Sequence, residues 1–207
     1  MPVLDNIRGL RFGAVGANAT HLVVDMQRLF AEPGEWQTTA MAGITPAIVR
    51  MVKHRPERTL FSRFLTPGRA EQARGQWQIY YRRWASVTGE RLSSGMHDLV
   101  PELAALARPG TLIDKHGHSC FDNPALRTLL KAQGTDCLIV TGVETDVCVL
   151  ATVLDAIDLG LRVILVEDAI ASSSQAGHKA AMEAIYPRYD MQIEVLTADA
   201  LLAAWKD

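Results

Sequence analysis

Three side chains able to carry out covalent carbonyl chemistry recur at comparable places along this chain of 207 residues. Asp25 closes the apolar run His21–Asp25, Lys115 follows the run Thr111–Asp114, and Cys148 lies just past the run Cys137–Thr141. A thiol attacks a carbonyl when a neighbouring base takes its proton and later hands it to a leaving group. A carboxylate can be that base, and an ammonium beside both would keep it ionised and stabilise a thiolate. Each residue also has a plainer use on its own. A strand-end carboxylate caps a turn, a loop lysine is solvated, and a free cysteine is a small buried hydrophobe. If Thr145 or Asp146 caps a helix, Cys148 falls in its first turn. There the helix dipole and unpaired N–H groups would lower the thiol pKa from ~8.5 and could hold an oxyanion.

These residues need elements that bring them together. Six β-branched or leucine-rich runs read as strands: His21–Asp25, Arg58–Phe61, Thr111–Asp114, Cys137–Thr141, Leu161–Glu167 and Gln192–Leu196. Several are continuously apolar, as in strands covered on both faces. Between or after them, Thr45–Val52, Leu99–Leu106, Pro124–Ala132, Asp146–Leu159, Ala176–Ile185 and Ala198–Trp205 read as helices, with Pro46 in a first turn. Alternating strands and helices predict a doubly wound α/β fold, a parallel sheet with right-handed crossovers. Ligands of such sheets bind beyond the carboxyl ends of the strands, the edge where all three reactive residues fall. Residues 64–97 are too long for a simple connection and are a candidate lid or substrate wall. Within them Trp77, Tyr80, Tyr81 and Trp84 share one helix face, a pattern of core or subunit contact more than of a substrate cage.

Other residues bear on the surroundings of such a site. Arg63 ends the second strand, where its planar fork could hold a substrate carboxylate or carbonyl, or form a surface salt bridge. His116 and His118 have alternate-residue spacing and would face one side, but no third metal ligand is apparent. Gly13-Ala14-Val15-Gly16 precedes the first strand, so it is no phosphate loop. Lys+Arg of 21 against Asp+Glu of 23 leaves no basic footprint for nucleic acid or an anionic membrane. Three cysteines without metal-ligand spacing fit a reducing compartment, and no signal peptide or membrane span is evident. The expectation is a cytoplasmic protein of one domain over residues 1–207, with an insertion at about 64–97.

The order Asp25-Met26-Gln27-x-x-Phe30, then Lys115, then Val140-Thr141-Gly142-Val143-Glu144-Thr145-Asp146-Val147-Cys148-Val149 resembles the isochorismatase-like cysteine hydrolases. That superfamily includes nicotinamidases, N-carbamoylsarcosine amidohydrolases, biuret hydrolases and isochorismatases. The resemblance implies a three-layer Rossmann-like sandwich, a six-stranded parallel sheet with helices on both faces. It further implies an Asp25, Lys115 and Cys148 triad and a cis peptide between Val143 and Glu144. The Glu144 and Cys148 N–H groups would then form the oxyanion hole. Phe121, in the Ser119-x-Phe121 that follows the lysine strand, and Phe30 are implied substrate-binding residues, although ordinary core packing serves Phe121 equally well.

The departures narrow the chemistry. Where nicotinamidases carry an Asp-x-His metal motif this chain reads Phe61-Ser62-Arg63-Phe64-Leu65, so neither that metal nor nicotinamide is expected. Some isochorismatases lack the cysteine, and Cys148 therefore favours cleavage of a C–N bond. The implied activity is hydrolysis of a small amide or carbamoyl compound through a thioester, without cofactor, in a homo-oligomer. The alternatives are an isochorismatase-type vinyl-ether hydrolase with Cys148 idle and a non-catalytic small-molecule-binding member.

Overall fold

The apolar runs form β1 (Ala19–Val24), β2 (Thr59–Phe64), β3 (Leu112–Lys115), β4 (Cys137–Val143), β5 (Arg162–Ala171) and β6 (Ile193–Leu196). In this computed structural model, which describes residues 4–206, they make one parallel sheet in the order β3-β2-β1-β4-β5-β6. Every residue of β1 and β4 is buried, which is why these two strands read as unbroken rather than alternating runs.

Helices cover both faces: α1 (Arg28–Ala31), α2 (Met41–His54), α3 (Trp77–Arg83), α4 (Pro101–Ala104), α5 (Pro124–Ala132), α6 (Cys148–Asp158), α7 (Gln175–Ala180) and α8 (Ala198–Ala204). α2 packs on β4 and β5 beside α8, while α6 packs on β4 and β5 and against the turn that follows β3. Among the described residues no helix is long and apolar enough to cross a membrane.

The boundaries shift in ways that bear on the site. α2 begins before Thr45, so Pro46 lies inside the helix and not in its first turn. The helix expected over Leu99–Leu106 is a single turn, because Val100 before Pro101 is held extended. The helix expected over Ala176–Ile185 passes from α7 into a π turn at Ala181–Ile185. The helix expected from Asp146 starts only at Cys148. Its N-cap is Val147, whose non-helical backbone ends the preceding loop, and neither Thr145 nor Asp146 caps it. Instead the Thr145 hydroxyl pairs with His178 Nδ1 at 2.8 Å.

The chain runs outward from β1 through β2 to β3 and then returns to place β4 against β1. Strand order therefore reverses between β1 and β4, and a crevice opens beyond their carboxyl ends. Gly142, at φ +108°, lets these ends close up, since a Cβ there would overlap the Val24 carbonyl. Asp25 is not a strand residue. It follows β1 at φ +50°, a left-handed conformation that is uncommon outside glycine.

One buried core group gives the fold a pH dependence. His21 on β1 accepts or donates one hydrogen bond, from Nε2 to Thr141 Oγ1 at 2.8 Å, and burial lowers its pKa from 6.5 to about 3. A depressed folded-state pKa means the stabilisation is present above the unfolded value of 6.5 and is lost as pH falls toward 3. Urea unfolding of the wild type should therefore lose about 1.4 kcal/mol per pH unit more than His21→Gln below about pH 6.5. Parallel curves for the two proteins would remove His21 as the cause.

Candidate active site

Asp25, Lys115 and Cys148 meet at the crevice floor, and each arrives by a different device. The turn at Asp25 throws its carboxylate back over the end of β1, where Ser62 on β2 holds it. The Ser62 hydroxyl donates to Asp25 Oδ1 at 2.6 Å and accepts from the Asp25 N–H at 3.1 Å. Lys115 ends β3, two strands from β1, and only a long side chain spans that gap of roughly 10 Å. It passes over the Phe64 ring, with Nζ 4.6 Å from the ring centroid, and is fully buried. Its ammonium lies 2.8 Å from Asp25 Oδ2 and 3.4 Å from Cys148 Sγ, and donates to the Gly117 and His118 carbonyls at 3.1 and 2.8 Å. Gln27 stitches the loop after β1 to the end of β2, accepting from Phe64 N and donating to the Phe64 and His97 carbonyls.

Cys148 is the first residue of α6. The peptide bond between Val143 and Glu144 is cis. The Val147 and Val149 amides both donate to the Glu144 carbonyl. Among the described residues, no backbone or side-chain group accepts from the N–H of Glu144 or of Cys148. Both N–H groups are therefore left without an acceptor within the described residues.

The electrostatics correct the expectation of a thiolate at rest. Burial pushes the Cys148 thiol well above its ordinary pKa and the Asp25 charge pushes it further, with Lys115 offsetting only part of this. The helix dipole is outweighed by burial beside a carboxylate. The reverse holds for Lys115. Burial opposes its charge, yet Asp25 and the sulfur outweigh burial, and its pKa is raised. The resting arrangement is a neutral thiol beside an ion pair.

Above the sulfur opens a cavity of about 190 Å³, lined by Phe30, Trp36, Phe64, Tyr80, Trp84, His118 and Val147, with Glu35, Glu144 and Ser173 among its polar residues. Phe30 stacks on Trp36, with ring centroids 6.0 Å apart. Tyr80 and Trp84 come from the inserted segment and supply wall of this cavity, whereas Tyr81 is buried beneath it. Trp77 packs on His118 at 4.9 Å.

Arg63 requires a correction. Ser62 and Phe64 point to the site, so strand alternation turns Arg63 to the opposite face. There its guanidinium forms a two-pronged ion pair with Asp114, at 2.7 and 2.8 Å, and it lines no part of the cavity. Phe121 packs half-buried against the core and also stays off the cavity wall. His116 and His118 diverge, because the strand ends at Lys115. His116 is exposed and bonded to the Leu65 carbonyl, while His118 faces the cavity with Nδ1 4.0 Å from Cys148 Sγ. Burial, and then the Lys115 charge, lower the His118 pKa. Among the described residues no group of three His, Cys, Asp or Glu side chains is placed to hold a metal ion.

Sequence reasoning missed Ser62, Trp36, Phe64 and the cavity-facing role of His118. Alternation on β2 carried a signal for Ser62 and Phe64. Nothing in the sequence marked Trp36, whose loop is positioned only by tertiary packing. Of the three buried cysteines, Cys148 alone lines this cavity; burial raises Cys120 to about 11. Iodoacetamide should label Cys148 before Cys120 and Cys137, at a rate that keeps rising from about pH 7 to about pH 10. Mass-spectrometric site mapping checks both points, and a rate already flat at neutral pH would show a thiolate instead.

The chain and its fold have counterparts among known proteins. The chain is 32% identical over 189 residues to the phenazine biosynthesis protein PhzD1 of Pseudomonas aeruginosa, covering 89% of this chain and 84% of that one. A cysteine hydrolase from Pseudomonas syringae pv. phaseolicola superposes with a TM-score of 0.70 at 23% identity, over 91% of this chain and 92% of that one. The N-carbamoylsarcosine amidase of Thermoplasma acidophilum superposes with a TM-score of 0.68 at 21% identity, over 87% of this chain and 96% of that one. These two structures share the fold. The isochorismatase domain family model matches residues 19–200, a span that takes in all six strands and the crevice between β1 and β4, and on that match the chain belongs to the isochorismatase family of hydrolases.

Proposed function

We propose that the protein hydrolyses a C–N bond, amide or carbamoyl, of a small molecule through a thioester on Cys148. One observation carries this reading: the Cys148 thiol lines the floor of a cavity and touches, just beneath it, the Lys115 ammonium that is paired with the Asp25 carboxylate. Asp25 takes the thiol proton as the sulfur attacks the carbonyl carbon. The N–H groups of Glu144 and Cys148 receive the oxyanion. Asp25 then gives its proton to the departing amine or ammonia, and the same carboxylate deprotonates the water that cleaves the thioester. Lys115 holds the charge of the carboxylate while the proton is elsewhere. Ser62 fixes the orientation of Asp25.

A thiol with a raised pKa suits this sequence. Proton transfer and attack occur together, so no reactive thiolate waits in the empty site. The cavity volume fits a compact substrate, since a cavity of about 150 Å³ takes a benzene ring. Among the described residues its lining offers no arginine or lysine to meet the two carboxylates of isochorismate, so we favour amide over vinyl-ether cleavage.

Cys148→Ala should lower ammonia release from a small amide or carbamoyl substrate by about a thousandfold or more while unfolding stays near wild type. Asp25→Asn should abolish turnover equally, at a stability cost of about 3–5 kcal/mol, because Lys115 is left charged and unpaired in the interior. Turnover of a verified amide by Cys148→Ala at the wild-type rate would end the thioester mechanism. Isochorismate consumed in place of amides would indicate the vinyl-ether reaction.

A further inference from the structure

The walls of the cavity are chemically different from its floor. Trp36 is the hub of an aromatic cup, its ring centroid 6.0 Å from Phe30, 6.0 Å from Tyr80 and 6.3 Å from Trp84. Two carboxylates, Glu35 and Glu144, line the same space. Glu144 is anchored through one oxygen only, Oε1, which accepts from Thr38 Oγ1 at 3.1 Å and from Ser173 N at 2.8 Å. Its second oxygen has no partner among the described residues. Glu35 accepts from the Ser86 hydroxyl.

Nothing cationic in the lining balances these acids. No arginine or lysine lines the cavity, and the one histidine, His118, is biased to its neutral form by burial and by Lys115. Lys115 itself is committed to Asp25 below the floor. Arg83 rests over one face of the Trp84 ring at 4.7 Å but is exposed and outside the lining. Electron-rich ring faces and uncompensated carboxylates both favour a positive guest, and alkylated ammonium groups are the guests that aromatic cups hold best.

We infer that the substrate carries a cationic group, an alkylated ammonium, seated in the Trp36, Tyr80 and Trp84 cup beside Glu144 and Glu35 while its carbonyl reaches Cys148. This rests on the amide-hydrolase reading and adds the substrate class to it. The cup and the acids would hold the remote end of the molecule, and the N–H pair would hold the reacting end. Substrates bearing a carboxylate at the remote end would be repelled by the same groups.

The test compares three amides of one size: betaine amide, its neutral tert-butyl isostere, and an analogue ending in carboxylate. Wild-type kcat/KM should be about tenfold higher for betaine amide than for the neutral isostere. The carboxylate analogue should be the poorest. The charged-to-neutral ratio should fall toward one in Trp84→Leu and in Glu144→Gln; being a ratio, it is insensitive to general loss of activity. A wild-type ratio of one or less, or preference for the carboxylate, overturns the inference. A separate arm needs no turnover. Tetramethylammonium chloride titrated into Cys148→Ala should change tryptophan fluorescence saturably, where sodium chloride does not, and the double variant with Glu144→Gln should lose the effect. If no amide is turned over, this titration alone decides. Saturable binding then upholds the cation site while the amide reading fails, and its absence rejects the cation site.

Discussion

A lysine ammonium and an aspartate carboxylate, sealed from water 2.8 Å apart, set the conditions for everything around them. Moving such a pair into the interior costs several kcal/mol per ion unless further bonds complete its coordination. The chain supplies those bonds one by one. The Gly117 and His118 carbonyls accept from Lys115, the Ser62 hydroxyl donates to a carboxylate oxygen, and the Phe64 ring lies under the ammonium. The turn after β3, the left-handed conformation of Asp25 and the position of β2 between the partners all serve this one contact. The neutral state of Cys148 follows from it too, because a thiolate would add a second negative charge beside Asp25 in a dry site.

Floor and walls come from different parts of the fold. The floor is built at the ends of β1, β3 and β4, whose relative positions a hydrogen-bonded sheet holds rigidly. The walls come from the loop around Trp36 and from the helix at Trp77–Arg83, both packed by ring contacts. On the proposed reading, the rigid floor serves bond cleavage and the loops serve the choice of molecule. Glu144 belongs to both parts. It follows β4 through the cis peptide bond, and its carboxylate, tethered to Thr38 and Ser173, lines the cavity.

Much of this was legible from the chain alone. Continuous apolar runs predict buried parallel strands, and the carboxyl-edge rule brings Asp25, Lys115 and Cys148 to one edge of the sheet. The misreadings have specific causes. The sequence leaves Arg63 open between substrate contact and a salt bridge, and alternation from Ser62 turns it into the salt bridge, with Asp114. The lowered thiol pKa depends on a helix capped by Thr145 or Asp146, a local argument that leaves out the dominant cost of burial. The Trp77 to Trp84 face was weighed as core or contact, because helical spacing reveals which residues share a face but not what lies opposite.

What the sequence determined by itself was the alternation of strands and helices and the reactive groups at strand ends. Both follow from short-range rules, side-chain periodicity and backbone propensity, that act within a few residues. Only the tertiary structure decided that Lys115 reaches across β2 to Asp25, that His118 turns inward while His116 turns out, and that Trp36 meets Tyr80 and Trp84 over the sulfur. These are meetings of residues far apart along the chain. They depend on strand order, on loop packing and on the desolvation of charge, quantities with no value until the whole molecule has closed around them.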